Sequence, residues 1–491
     1  MGEAGAAGAA VRVLAVSRVA PADDAGSGGG AGEARVKLSF FDTAWVVLPP
    51  IQRVFLYDLP GGDGADEFPA AVRRLKDALA ATLALYRPLA GNLAYVAETG
   101  DVVVDCAAGG DPGVAFVEAE AAAPDDDGGG GMDVRRLAGD EAHDIPAFLA
   151  LVPGHDTRVL PAPVLSVQAT RLPGGRGLAL GLSVHHAVAD GQAVWRFVGA
   201  WAAAAREGSP VTKVLGPPHY DRAAVHVPNG DEFAREMLRK VAPNLPVTNT
   251  AMDYDFSQRF RLGRRTFYLA ADDIRSLKHR IDALAAANDA AAGDSATTTT
   301  TKKKKPVSTF VALAALGWTA FVRAKALAAG DDTYLVFLAD LRARLDPPVG
   351  DGYLGNCIKG CLAMADAGDL LGGDRGLLAA CRAIQAAVAE MEAAPLAGTE
   401  RWLQRMMTLP FQRLCNVAAS PRFRVYEASD FGFGRPARVE LVSMNHDGEM
   451  VLVGGREDGE VQVSVSLDPA RMEEFKAHVL GHRSAAPAAA S

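Results

Sequence analysis

The chain has 491 residues, enough for two domains with substantial cores, and its 49% hydrophobic and 22% charged residues are those of a soluble globular protein. A net charge of −9, with no basic stripe carrying interleaved aromatics, argues against any nucleic-acid partner. No uncharged apolar run is long enough to span a bilayer and residues 1–10 lack a signal-peptide pattern, so a cytoplasmic location without membrane contact is the default expectation; a monomer is expected as well.

In chain order, residues 11–19 read as a first strand, followed by an Asp/Gly/Ala loop over 22–33. Val72, Leu75, Leu79, Leu83 and Tyr86 mark a helix ended by Pro88, and residues 93–104 are strand-like. Residues 124–131 are an acidic, glycine-rich surface loop. Two apolar runs, 164–170 and 178–184, joined by Pro173-Gly174-Gly175-Arg176-Gly177, form a hairpin or close strand pair. Val194, Phe197, Val198 and Trp201 then give one buried face of a helix over 192–206.

Residues 207–249, rich in proline and polar groups, read as a crossover between an N-terminal half (1–206) and a C-terminal half (250–491). The second half opens with a strand over 261–269 and a helix marked by Ile274, Leu277, Ile281 and Leu284. A low-complexity stretch, 286–305, is expected to be a disordered insertion. Its basic run 302–305 reads either as a solvated loop or as a lysine approaching nucleotide phosphates, since Ser308 and Thr309 follow directly. An apolar helix over 309–326, a buried strand over 334–338 and an alanine-rich helix over 377–391 come next. Residues 439–444, 451–454 and 461–467 form an antiparallel meander, and Asp468-Pro469 caps a last helix. Helices mixed with antiparallel strands give an α+β class.

Five cysteines, Cys106, Cys357, Cys361, Cys381 and Cys415, show no C-x-x-C spacing, so neither a metal site nor a redox dithiol is expected. One histidine stands out. In His185-His186-Ala187-Val188-Ala189-Asp190-Gly191 an apolar strand stops and an amphipathic helix starts, which suits an imidazole acting as general base. The His-x-x-x-acid spacing alone is weak, arising about once by chance in such a chain. Downstream, Asp430-Phe431-Gly432-Phe433-Gly434 places two glycines around an aromatic ring, a pattern for a tight bend that Asp430 caps or ties to an arginine.

These two motifs together resemble the BAHD acyltransferases, which pair His-x-x-x-Asp-Gly near mid-chain with Asp-Phe-Gly-Trp-Gly near the C-terminus. Ser39-Phe40-Phe41-Asp42, Pro88-Leu89-Ala90-Gly91, Ser308-Thr309-Phe310 and Asp340-Leu341-Arg342-Ala343-Arg344-Leu345 extend the likeness over roughly residues 11–480. The resemblance implies two chloramphenicol-acetyltransferase-like halves joined by a long crossover, with a central channel open to donor and acceptor. It implies acyl transfer from coenzyme A to a hydroxyl or amine, with no permanently bound cofactor and no covalent acyl-enzyme.

On that resemblance His186 is the base, while Asp190 turns away to pair with an arginine, Arg342 or Arg344. A triad in which Asp190 orients the imidazole is the alternative. Gly191 is expected to permit the sharp turn into the helix. The Asp430–Gly434 loop is a structural or donor-channel element, and Phe433, standing where the family has tryptophan, lacks an indole N–H. Tyr353-Leu354-Gly355-Asn356-Cys357 and Ser420-Pro421-Arg422-Phe423 are similar to the branch of anthocyanin, flavonoid and phenolic glucoside malonyltransferases. That branch implies malonyl-CoA as co-substrate and a sugar hydroxyl of a phenolic glycoside as acceptor, with Ser308, Thr309, Tyr353, Asn356 and Ser420 as channel candidates. Arg196 and Arg435 are candidates for the malonyl carboxylate by charge alone. Hydroxycinnamoyl or acetyl donors, an amine acceptor, and a catalytically silent receptor or scaffold of the same fold are the competing readings. A peptide-synthetase condensation domain, which shares His-His-x-x-x-Asp-Gly, is disfavoured because no carrier-protein neighbour accompanies it.

Overall fold

The computed structural model describes residues 11–22, 35–59, 67–107, 113–122, 131–173, 177–212, 215–248, 261–291, 306–444 and 446–481. Most of the loops expected at 22–33 and 124–131, the hairpin tip 174–176 and the basic run 302–305 lie outside these residues. Among the described residues sixteen strands follow in chain order: β1 Val11–Val19, β2 Arg35–Lys37, β3 Ile51–Asp58, β4 Asn92–Val96, β5 Asp101–Asp105, β6 Val114–Ala121, β7 Ala162–Pro163, β8 Leu165–Leu172 and β9 Gly177–Val184, then β10 Gly263–Leu269, β11 Asp332–Asp340, β12 Ile358–Asp366, β13 Leu414–Ala419, β14 Arg438–Leu441, β15 Glu449–Gly454 and β16 Val461–Leu467.

The chain divides into two compact units. The first comprises Met1–Asp255, Asp340–Ile358 and Val425–Ser443; the second comprises Phe256–Ala339, Lys359–Arg424 and Met444–Ser491. Each half in the sequence reading was one continuous run. The first unit instead recovers two later stretches, and strand pairing explains one of them. β14 joins β3 antiparallel, Val439 opposite Phe55, rather than starting a meander with β15. Only β15 and β16 form the expected antiparallel pair, while β13 runs parallel to β15.

The first unit holds a six-stranded sheet in the order β1-β6-β8-β9-β3-β14 and a four-stranded sheet β2-β5-β4-β7. β8 and β9 pair as the apolar runs predict, Leu165 opposite Val184 through Leu172 opposite Gly177. β9 is buried along its whole length, so it reads as an unbroken apolar run rather than an alternating one. The helix Gly191–Glu207 buries Val194, Phe197, Val198 and Trp201, and the Trp201 indole N–H donates to the Leu75 carbonyl at 2.9 Å. That bond ties it to the helix Glu67–Leu85. The stretch 93–104 is not one strand but the hairpin β4–β5.

The stretch 207–249 is more than a linker. It carries the helix Gly230–Val241, whose Phe233 ring meets Phe40 edge-on at 6.2 Å and whose Arg235 pairs with Asp101 at 2.9 Å. In the second unit the sheet order is β10-β16-β15-β13-β11-β12. The helix Ala271–Ala291 runs past the start of the expected insertion, because alanine-rich sequence without proline or glycine favours continuing the helix. Asp468 caps the C-terminal turn by accepting from the Ala470 N–H at 2.9 Å. Among the described residues no helix is long and apolar enough to cross a membrane, and no cluster of three or more potential metal ligands occurs.

Candidate active site

β9 ends at Val184, and the chain turns before the helix Gly191–Glu207 begins. The His185 N–H still reaches the Val164 carbonyl at 2.8 Å, and the Val188 N–H closes a turn on the His185 carbonyl at 3.0 Å. His186 lies in that turn. It is half-buried, and its Nδ1 is enclosed with no protein partner in hydrogen-bond range. Burial lowers its pKa below the usual histidine value, outweighing its own carbonyl, Asp190, Asn356 and Asp42, which favour the charged form. The ring is therefore neutral near pH 7, the state a proton acceptor needs.

His185 is different. It is fully buried, its Nδ1 accepts from the Ala187 N–H at 3.2 Å, and burial pushes its pKa down to about 3.

Asp190 caps the helix, Oδ1 accepting from the Ala193 N–H at 3.0 Å. The same carboxylate takes two parallel bonds from Arg342, Nη1 to Oδ2 at 2.9 Å and Nη2 to Oδ1 at 3.0 Å, and one from the Cys357 N–H at 3.0 Å. Its four acceptor positions are filled, which leaves none for the imidazole of His186. Of the two arginines expected to pair with it, Arg342 does so, whereas Arg344 donates to the Asp340 carbonyl at 2.6 Å. Arg342 also holds Asp340 and the Tyr353 and Gly355 carbonyls. Burial acts to lower the Arg342 pKa, but Asp190, Asp340 and Cys357 together more than reverse it, so the guanidinium stays charged.

Asn356 is fully buried. Its backbone N–H and its Nδ2 both donate to Asp42 Oδ1 at 2.9 Å, and Nδ2 also donates to the His186 carbonyl at 2.9 Å. Asp42 Oδ2 accepts from the Ser39 N–H and hydroxyl, at 2.9 and 2.7 Å, and from Arg222 Nε at 2.9 Å. Arg222 continues to the Leu354 carbonyl. The Tyr353 ring lies near both arginines, with the Arg222 and Arg342 guanidinium carbons 5.3 and 5.6 Å from its centroid. Two buried ion pairs, Asp42–Arg222 and Asp190–Arg342, thus support the His186 turn through Asn356 and Cys357. This scaffold is charged yet fully hydrogen-bonded at both carboxylates, the condition under which buried charge is tolerated.

The Asp430–Gly434 loop has other partners. Asp430 Oδ1 accepts from the Gly432 and Gly434 N–H groups at 2.9 and 3.1 Å, and both glycines have left-handed φ values of 89° and 85°. Arg206 donates to the Asp430 carbonyl and Arg74 to that of Gly432. Phe431 is buried with its ring 4.8 Å from Trp201, and Phe433 meets Tyr57 edge-on at 5.7 Å. The aspartate therefore caps the bend, and it is the loop's carbonyls that bind arginines.

Gly191 departs from expectation. It opens the helix without a left-handed φ, so the turn makes no backbone demand for glycine there. In the second unit, Ser308 caps the helix Thr309–Ala324 by accepting from the Val311 N–H, and Ser420 accepts from the Arg422 N–H, both at 3.2 Å. Arg196 donates to the Gly216 carbonyl at 2.7 Å and Arg435 lies 3.8 Å from Glu427. The sequence reading assigned no role to Asp42, Trp45 or Arg222. Asp42 carried two signals, the Ser39-Phe40-Phe41-Asp42 likeness and its capping-box pattern, and neither assigns it a partner; the capping box announces a helix start rather than a site.

A sequence model of the transferase family, the BAHD acyltransferases, matches residues 19–480. The chain belongs to that family. It is an acyltransferase. Similar proteins include a malonyl-coenzyme:anthocyanin 5-O-glucoside-6'''-O-malonyltransferase of Salvia splendens, 27% identical over 91% of each chain. A phenolic glucoside malonyltransferase 1 of Bemisia tabaci is 30% identical, over 91% of this chain and 92% of its own. Among solved structures, vinorine synthase shares the fold with a TM-score of 0.64, over 96% of this chain and 98% of its own, at 20% identity. For a BAHD acyltransferase, the half-buried His186 in its braced turn is the group that stands out at this site.

Proposed function

We propose that the protein transfers a malonyl group from malonyl-CoA to a sugar hydroxyl of a phenolic or flavonoid glycoside, with His186 as general base. The observation that carries the chemistry is His186 itself, an imidazole in a turn braced by Asn356 and Asp42. The names of the similar proteins support the choice of donor and acceptor class.

A thioester is already activated, so no covalent nucleophile is needed. The imidazole accepts the hydroxyl proton as that oxygen forms its bond to the thioester carbonyl carbon. When the tetrahedral adduct collapses, the carbon–sulfur bond breaks and the imidazolium returns the proton to the thiolate, giving the ester and free coenzyme A. Holding the two substrates together supplies further rate through proximity. Ser308, Thr309 and Ser420 remain channel candidates in this reading, whereas Tyr353 and Asn356, both fully buried, serve as supports of the turn. The protein acts as a monomer in the cytoplasm.

The test incubates the purified protein with malonyl-, acetyl- and caffeoyl-CoA and a phenolic glucoside, following thiol release. Release with malonyl-CoA at a rate well above the other two is expected. Equal or faster turnover of caffeoyl- or acetyl-CoA would remove the malonyl assignment while leaving acyl transfer intact.

A further inference from the structure

The indole of Trp45 lies flat against the imidazole of His186, with ring centroids 4.0 Å apart and planes 8° from parallel. Both residues are only partly buried, so the contact is not ordinary core packing. Trp45 sits in the turn that prolongs the helix Phe40–Thr43: its N–H donates to the Asp42 carbonyl at 3.2 Å, and its own carbonyl accepts from the Leu48 N–H at 3.3 Å. Asp42, three residues earlier, is the carboxylate that anchors Asn356. One short turn therefore supplies both the anchor for the His186 backbone and a plate against the face of its ring.

The face of an indole is electron-rich and attracts a cation placed over it, tryptophan most strongly among the aromatics. An imidazole that accepts a proton becomes such a cation. We propose that Trp45 is a positioning residue for the base, fixing the plane of the His186 ring and stabilising the imidazolium formed during transfer. This rests on His186 acting as the base.

The other groups around the ring are Asp42 with Arg222, Asp190 with Arg342, and the neighbouring His185. The Tyr353 phenol and the Cys357 thiol are held neutral, their pKa values raised by burial. Trp45→Leu leaves these groups in place, keeps an apolar cover on the ring and removes its π face; any loss of burial would move the limb to higher pH, opposite to the effect of losing the π face. A shift to lower pH in the profile of that variant therefore reports the stacked ring.

The experiment measures kcat and kcat/KM against pH for the full chain, with malonyl-CoA and a phenolic glucoside, in Trp45→Leu, Trp45→Phe and His186→Ala. Trp45→Leu should lose roughly two- to thirtyfold in kcat and move the acidic limb to lower pH. Trp45→Phe should fall between it and wild type, with melting temperatures of both variants close to wild type. A wild-type rate and limb in Trp45→Leu overturns the inference. So does a loss in both variants that follows melting temperature while the limb stays fixed. If Trp45→Leu does not fold, a wild-type limb and kcat in Trp45→Phe overturns it as well. An active His186→Ala would remove the base and this inference together, whereas an inactive His186→Ala beside an unaffected Trp45→Leu would sink this inference alone.

Discussion

Asp190 and Arg342, 152 positions apart in the chain, are joined by two parallel hydrogen bonds of 2.9 and 3.0 Å, and both side chains are fully buried. The carboxylate that the sequence places four residues after His186 is thereby committed to structure. Removing one partner strands the other charge away from water. Asp190→Ala should therefore cost about 3–5 kcal/mol of stability, as should Arg342→Met, by denaturant unfolding. Arg342→Lys should not restore stability, because an ammonium cannot reproduce the parallel pair. A fully stable but inactive Asp190→Ala would contradict this assignment.

Asn356→Ala removes two side-chain hydrogen bonds, to Asp42 and to the His186 carbonyl, and leaves the backbone N–H of residue 356 on Asp42. The loss should lower stability by about 1–3 kcal/mol. It should lower kcat more than it raises KM, since it loosens the turn that holds the base. Steady-state kinetics beside a thermal melt separates the two effects.

Gly434 has a φ of 85°, and no heavy atom lies within 4 Å of where a Cβ would stand. Gly434→Ala should thus cost about 1–2 kcal/mol through backbone strain alone. If the loop is structural, kcat should stay within about twofold of wild type under stabilising conditions. A large fall in kcat without a fall in melting temperature would place the loop in the chemistry instead.

Burial lowers the His186 pKa from the ordinary value of 6.5. A base works only when unprotonated, so kcat/KM should be flat near neutral pH and fall as pH drops through that lowered pKa. The acidic limb of the free enzyme is expected below pH 6.5. A limb above pH 7 would indicate that another group titrates or that the ring is not desolvated.

The β8–β9 pair and the helix after it were legible because apolar runs and a 3.6-residue period need no partner to be read. The destination of β14 was not. Arg438-Val439-Glu440-Leu441 reads as a strand in any sheet, and only its pairing with β3, more than 300 residues earlier, decides which one. β13, Leu-Cys-Asn-Val-Ala-Ala, has weak strand propensity and is made by its neighbours. At the site, the choice of Arg342 over Arg344 depends on which side of the chain faces Asp190, and motif spacing cannot supply that. Asp42 and Trp45 were hidden because their partners, Asn356 and His186, are distant in sequence. A buried hydrogen bond or ring stack leaves no periodic trace.

The central claim is that the imidazole of His186 carries the proton during acyl transfer. The most direct measurement is the single-turnover rate of His186→Gln against wild type at pH 7.5, with saturating malonyl-CoA and a phenolic glucoside. The account predicts a loss of roughly a hundredfold to ten-thousandfold with an unchanged melting temperature. A variant that keeps its rate within about threefold of wild type would contradict it.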